Sequence, residues 1–152
     1  MKRITIGFTL LCMFFATLSA VSAADAVEWK EVKSASGTVK STVQRSRGYR
    51  GKSTSREKPV YVSFSVSTNG FRVKWKTQSA GDRASLDFTL ERQVDLPNGS
   101  KDWRRVEIVG RARGDDSGEG GFAAGPGDYR IEITGQNSKY NITVEEAQRE
   151  KK

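Results

Sequence analysis

The chain has 152 residues, with 26 lysines and arginines against 18 aspartates and glutamates, no histidine and one cysteine. That length fits one domain, and 36% of hydrophobic residues supply a modest core. Because histidine is the commonest acid–base group at neutral pH and the commonest metal ligand, this inventory excludes zinc fingers and Ser-His-Asp or Cys-His catalytic sites.

The N-terminal segment has the pattern of a secretory signal peptide. Lys2 and Arg3 precede a largely apolar, uncharged run over residues 4–18, and residues 21–23 (Val-Ser-Ala) fit a signal-peptidase site. The run is shorter than the roughly 20 residues that a spanning helix needs. We therefore predict cleavage after Ala23 and a periplasmic or secreted protein, since the short basic start is typical of bacteria. An uncleaved N-terminal anchor is the alternative.

Cleavage would remove Cys12, so we expect that no disulfide holds the mature chain together. The mature chain keeps a formal charge of +6, and it has no later apolar run long enough for a transmembrane segment. The predicted organisation is a signal peptide (1–23), a β-sandwich domain (24–146) that carries a basic loop (40–58), and a polar tail (147–152).

Apolar residues alternate with polar ones along most of the mature chain, as in strands with one buried face. Six such alternations lie at residues 60–66, 71–76, 86–90, 106–108, 129–133 and 140–144. Val27, Trp29 and residues 39–43 suggest one or two further strands. The predicted fold is an all-β, antiparallel β-sandwich of about 7–8 strands, jelly-roll-like.

Turn signals separate these alternations. Residues 69–70 (Asn-Gly) favour the positive φ angles of a tight hairpin, residues 97–99 form a Pro-Asn-Gly turn, and residues 135–138 predict a short hairpin between the last two strands. Residues 110–127, with seven glycines, are predicted to be a long acidic loop. Loops of that length in compact domains tend to be functional or disordered.

Several segments resemble small secreted bacterial β-sandwich modules of the jelly-roll, CUB-like or pre-peptidase C-terminal-like kind. They are Trp29 with the polar strand around Gly37, the strand at 70–75 that carries Trp75, and the closing segments 127–133 and 140–145. The resemblance covers roughly residues 28–146. It implies a non-catalytic accessory or binding role and, in some members, calcium held by loop carboxylates.

The segment 40–58 concentrates positive charge, with seven cations against Glu57. Clustered lysine and arginine attract polyanions, and the planar fork of arginine fits phosphate, sulfate and carboxylate. We predict contact with an anionic envelope polymer or glycan through Arg45, Arg47, Arg50, Lys52, Arg56 and Lys58. A solvated linker is the alternative, and the scarcity of interleaved aromatic residues argues against nucleic acid as a partner.

The acidic, glycine-rich stretch supplies the candidate metal ligands Asp115, Asp116 and Glu119. Calcium takes six to eight oxygen ligands, but the spacing does not fit an EF-hand. Turn formation explains the same residue types without a ligand. Calcium is thus the single cofactor that the sequence brings into consideration.

Three cations share one face of the strand predicted at 71–76. Arg72, Lys74 and Lys76 present either a cationic ladder for an anionic polymer or a set of cross-strand ion pairs. We expect the pairs, with Asp87 and Glu91 of the following strand as partners, since opposite charges across strands are stabilising.

Trp75 is in phase with the apolar residues of its strand and is predicted to lie in the core. Trp103 follows a turn and is the predicted surface aromatic. No nucleophile elbow or phosphate-binding loop occurs in the sequence, so we expect no enzymatic activity. The sequence predicts an exported, non-catalytic binding or structural module of the cell envelope. The alternative is a carbohydrate-binding or calcium-stabilised accessory module.

Overall fold

The computed structural model describes residues 27–40 and 58–148, and eight strands account for the regular structure of these ranges. They are β1 (Glu28–Val39), β2 (Val60–Val66), β3 (Phe71–Ser79), β4 (Ser85–Asp95), β5 (Lys101–Arg113), β6 (Asp116–Phe122), β7 (Gly127–Gln136) and β8 (Ser138–Gln148). Within those two ranges, no helix is long and apolar enough to cross a membrane. The predicted signal peptide, Cys12 and residues 149–152 lie outside the described residues.

The strands form two four-stranded antiparallel sheets. The first sheet has the order β1-β8-β3-β6 and the second has the order β2-β7-β4-β5. Of the eight strands, only β4 and β5 are neighbours both along the chain and within a sheet, and the order is that of a jelly roll. The predicted all-β antiparallel sandwich is confirmed.

The core lies between the sheets and consists of the inward phase of each alternation. Its largest fully buried apolar side chains are Phe71, Val73, Leu86, Phe88, Leu90, Tyr129, Ile131, Ile133, Ile142 and Val144. Phe64, Phe71, Phe122 and Tyr129 pack ring against ring, with centroids between 5.0 and 5.9 Å apart. Val73 and Ile131 are 0% exposed, which confirms the predicted inward phase of their strands.

Two predicted hairpins are wrong, because the strands that they join belong to different sheets. Residues 67–70 carry the chain from β2 in the second sheet to β3 in the first, and Asn137 carries it from β7 to β8. An Asn-Gly signal indicates a chain reversal but does not say whether the flanking strands pair. Of the three predicted turns, the one at 97–99 does close a hairpin, between β4 and β5, with Gly99 at a φ of 79°.

The predicted glycine-rich loop is also wrong, since most of residues 110–127 belong to β5 and β6. Glycine weakens a strand, but here two glycines make room for Trp75. Gly118 is the β6 partner of Trp75, and a Cβ there would overlap the indole; a Cβ at Gly110 would lie 2.6 Å from the indole Nε1. The indole is 8% exposed and stacks on Phe88 with centroids 5.3 Å apart, which confirms the core prediction.

A buried carboxylate ties the last strand to the connection between β2 and β3. Glu146 accepts hydrogen bonds from the backbone N–H of Ser67 at 2.9 Å and from the Ser67 hydroxyl at 3.0 Å. The adjacent Ala147 donates its N–H to the carbonyl of Gly70 at 3.0 Å. These bonds, and the backbone one above all, lower the pKa of Glu146 although burial opposes them. The strand β8 continues through Gln148, past the predicted domain end at residue 146.

Acidification is expected to destabilise the fold through Glu146. Because the folded-state pKa lies below the ordinary glutamate value of about 4.3, the unfolded chain binds the proton first. The stabilisation is complete above that ordinary value and is lost as the pH falls through the lowered folded-state pKa. Calorimetry should show a Tm that falls between roughly pH 5 and pH 3. The fall should be smaller in Glu146→Gln than in Glu107→Gln, a control at an exposed glutamate; equal falls would count against the assignment.

Candidate functional site

The outer face of the first sheet carries two rows of polar side chains, which the strand register defines. One row runs through Ser36, Asn141, Lys76 and Ser117, and the next runs through Thr38, Lys139 and Gln78. All seven residues are exposed. Neighbouring strands lie about 4.8 Å apart, and successive residues on one face of a strand lie about 6.7 Å apart. Side chains from four strands therefore share one small patch.

This patch lies in an open groove of about 800 Å³, which also includes Asp115 and Asp116 where β6 begins. The name "groove" is used below for this surface, which contains the seven residues of the two rows together with Asp115 and Asp116. Asp115 accepts a hydrogen bond from the backbone N–H of Ser79 at 2.6 Å, and Asp116 accepts one from the N–H of Ser117 at 2.8 Å. Backbone donors thus fix both carboxylates at the border of the groove.

The other end of the same face is occupied by ion pairs. Arg72 Nε lies 2.5 Å from a carboxylate oxygen of Glu145, Arg72 Nη1 lies 3.3 Å from Glu119, and Lys74 Nζ lies 2.9 Å from Glu145. The guanidinium of Arg72 also covers the ring of Trp29, 4.4 Å from its centroid. The hydrogen bond from Lys74, supported by Arg72, lowers the pKa of the Glu145 carboxyl. The charged side chains at this end of the face are therefore paired with one another.

The prediction that the strip of Arg72, Lys74 and Lys76 pairs with acids of β4 is wrong, because β3 and β4 lie in different sheets. The expected partners were Asp87 and Glu91. Cross-strand pairing does occur, but with the β6 and β8 neighbours of β3. Lys76, the third cation of the strip, has no carboxylate within 4.0 Å in the described part of the chain, and neither has Lys139. Two ammonium groups of the groove are therefore available to a ligand.

The outer face of the second sheet holds an arginine between two aromatic rings. Arg130 Cζ lies 4.1 Å from the ring centroid of Tyr61 and 4.4 Å from that of Trp103. Arg130 Nε lies 2.5 Å from Glu91, and the Tyr61 hydroxyl donates to Glu132 at 3.4 Å. We call these five residues the Arg130 cluster. Trp103, the predicted surface aromatic, lies on this outer face and is partly exposed.

The candidate metal ligands are not gathered into one site. Asp115 and Asp116 border the groove, whereas Glu119 pairs with Arg72 at the other end of the face. In the residues that the structure describes, no group of three potential ligand side chains is placed to hold a metal ion. Calcium binding through these residues stays a prediction.

Five of the six predicted polyanion contacts lie outside the described residues, namely Arg45, Arg47, Arg50, Lys52 and Arg56. Lys58 is described and is exposed just before β2. The described ranges hold 16 lysines and arginines against 15 aspartates and glutamates, so the sandwich is close to neutral. Most of the excess positive charge of the mature chain is therefore concentrated between β1 and β2.

Sequence reasoning found one member of the two groove rows, Lys76, and missed the other six. They come from β1, β3, β6 and β8, so no spacing along the chain connects them. The available signal is strand phase, which places Asn141 at an outward position of the alternating segment 140–144; extending the phase of neighbouring segments places Gln78 and Lys139 outward too. That phase predicts exposure but does not predict which strands are neighbours.

Comparisons with known proteins do not assign the chain to a family. No family model matches it, and no curated protein matches it. Among solved structures, it is similar to one described as "Family 16 Carbohydrate Binding Module-2", with a TM-score of 0.26 and 8% sequence identity. The match covers 59% of this chain and 69% of that chain. Function therefore has to be inferred from the side chains of this protein.

Proposed function

We propose that the protein is an exported, non-catalytic binding module that holds a saccharide in the groove of the first sheet. The observation that carries the proposal is the pair of polar rows. Their seven side chains are exposed and have no hydrogen-bond partner among the described residues, whereas the polar side chains at the other end of the face pair with one another. Unpaired polar groups that converge in a groove are what a polar ligand requires.

The chemistry of the groove matches hydroxyl groups, which both donate and accept hydrogen bonds. Lysine ammonium groups donate, carboxylates accept, and the amides of Gln78 and Asn141 do both. The groove contains two lysines and two aspartates, so its formal charge is balanced. A neutral, hydroxyl-rich ligand fits this balance better than an ion of either sign.

The test is a backbone-amide NMR titration with neutral hexasaccharides (maltohexaose, cellohexaose, laminarihexaose and xylohexaose), followed at Gln78 and Ser117. We expect one of these sugars to shift both signals. The double variant Lys139→Ala/Asn141→Ala should then weaken binding at these signals about fivefold or more, because each of the two lost hydrogen bonds contributes about 0.5–1.5 kcal/mol.

The matched control removes the same kinds of group from the second sheet. Gln93→Ala/Lys101→Ala deletes an amide and an ammonium group that bond to each other at 3.3 Å. At Gln78 and Ser117 this variant should bind like the wild type. If both double variants bind with equal affinity, the groove is not the binding site.

A second candidate function is contact with an anionic envelope polymer, which the concentration of charge in the segment 40–58 favours. Binding that rests on clustered cations weakens steeply with salt. The wild type should be retained on a sulfated column and should elute early at high salt. Replacing Arg45, Arg47, Arg50, Lys52, Arg56 and Lys58 by serine should abolish retention, while the groove double variant should elute like the wild type. Unchanged elution of the six-serine variant would exclude this contact.

A further inference from the structure

We propose that the Arg130 cluster is a second saccharide-binding site, in which a neutral sugar ring stacks on Tyr61. The cluster belongs to the outer face of the second sheet and shares no residue with the groove. The inference therefore goes beyond the proposed function, and each of the two proposals can fail without the other. A protein with both sites would engage saccharide on two opposite faces of the sandwich.

Tyr61 presents a fixed aromatic surface. The residue is 45% exposed in a strand whose alternate residues are buried. Arg130 covers the ring at 4.1 Å, and the hydroxyl is bonded to Glu132 at 3.4 Å. A side chain that is already held in place loses little conformational freedom when a ligand binds. The exposed part of the ring is thus preorganised for stacking.

Arg130 has guanidinium N–H donors that are available to a ligand. Glu91 engages its Nε at 2.5 Å, but the two Nη groups have no acceptor among the residues described by the structure. The Arg130 side chain is 21% exposed. An aromatic surface bordered by a few placed polar groups is the arrangement that small-molecule sites share.

The charges of the cluster favour a neutral ligand. Arg130 is paired with Glu91, and Arg105 lies opposite Glu91 in the strand register, while Glu132 adds a second carboxylate. Arg105 borders the cluster without being one of its five residues, and together these two arginines and two glutamates carry no net charge. A sugar supplies an apolar C–H face for the ring, and its hydroxyls meet the charged groups at the border, where hydrogen bonds are strengthened by charge.

The test is the same NMR titration with the four neutral hexasaccharides, followed at the amides of Ser63 and Thr89, which flank the cluster on β2 and β4. We expect one of the sugars to shift these signals. Tyr61→Ala should weaken binding at these signals at least tenfold and leave binding at Gln78 and Ser117 unchanged. Tyr61→Phe, which keeps the ring, should retain binding.

Tyr61→Ala also removes a contact that connects β2 to β7, so its Tm is measured alongside. If the variant stays folded and binds at Ser63 and Thr89 as the wild type does, the cluster is a structural brace only and the proposal is overturned. The same conclusion follows if no hexasaccharide shifts these two signals at millimolar concentration. If Tyr61→Ala fails to fold, Tyr61→Leu, which keeps an apolar side chain in the strand but has no ring, takes its place: it should lose binding at Ser63 and Thr89, and wild-type binding would overturn the proposal.

Discussion

Gly118→Val is expected to lower the free energy of unfolding by about 3 kcal/mol. Gly118 faces the interior beside Trp75, and an added Cβ overlaps the indole ring. The ring has no room to move, because Phe88 stacks on it and Gly110 lies close on the second sheet. Denaturant unfolding followed by circular dichroism measures the loss. In the same strand, Gly121→Val is the matched control, since a Cβ at Gly121 meets nothing within 4 Å. It should change stability by about 0.5 kcal/mol or less.

The same overlap predicts a coupling between the two positions. In a Trp75→Leu background the indole is absent. Gly118→Val should therefore lower the free energy of unfolding by at least about 1 kcal/mol less than it does in the wild type. If the cost is the same in both backgrounds, the glycine is not there to accommodate the ring, and another reason for a glycine in β6 is needed.

Gly135→Ala is expected to be at least as damaging as Gly118→Val. Gly135 has a φ of 147°, which L-residues with a side chain rarely adopt. A Cβ at this position overlaps the carbonyl oxygen of Ser85 and lies 2.9 Å from the Cα of Leu86 on the paired strand. These atoms are backbone and cannot rotate away, so we expect a loss of about 3 kcal/mol or more. Calorimetry measures the effect, and a Tm within about 2 °C of the wild type would contradict it.

The core could be predicted from the sequence because strand periodicity sets burial directly. Apolar residues two apart point to the same face, so Val62, Val73 and Ile131 could be assigned to the interior without knowing which strands pair. All three are buried. The two-layer class follows from the same alternation, since each half-buried strand needs a second sheet to cover its apolar face.

Strand pairing could not be predicted from local signals. The turns at 69–70 and 135–138 reverse the chain, but the strands around them go to opposite sheets. The glycines of β6 argue against a strand when only their propensity is considered. The role of one of them, Gly118, depends on Trp75, which is more than 40 residues earlier in the chain. Long-range packing of this kind decides the local structure there.

The groove could not be predicted from the sequence either, because strand pairing brings its residues together. Lys76 and Asn141 are opposite each other because β3 pairs with β8, and Ser36 joins them because β1 pairs with β8 on its other side. Before the sheet order is known, Arg72, Lys74 and Lys76 form one uniform strip. The order divides it into two cations that are paired and one, Lys76, that has no carboxylate partner within ranges 27–40 and 58–148.

The most direct measurement is a crystal structure of the protein with whichever neutral hexasaccharide shifts its NMR signals. It should show the sugar lying across β8 on the outer face of the first sheet, with hydroxyl groups within hydrogen-bond distance of Lys139 and Asn141. Saccharide bound elsewhere while Lys76, Gln78 and Lys139 stay fully solvated would contradict the assignment of the groove.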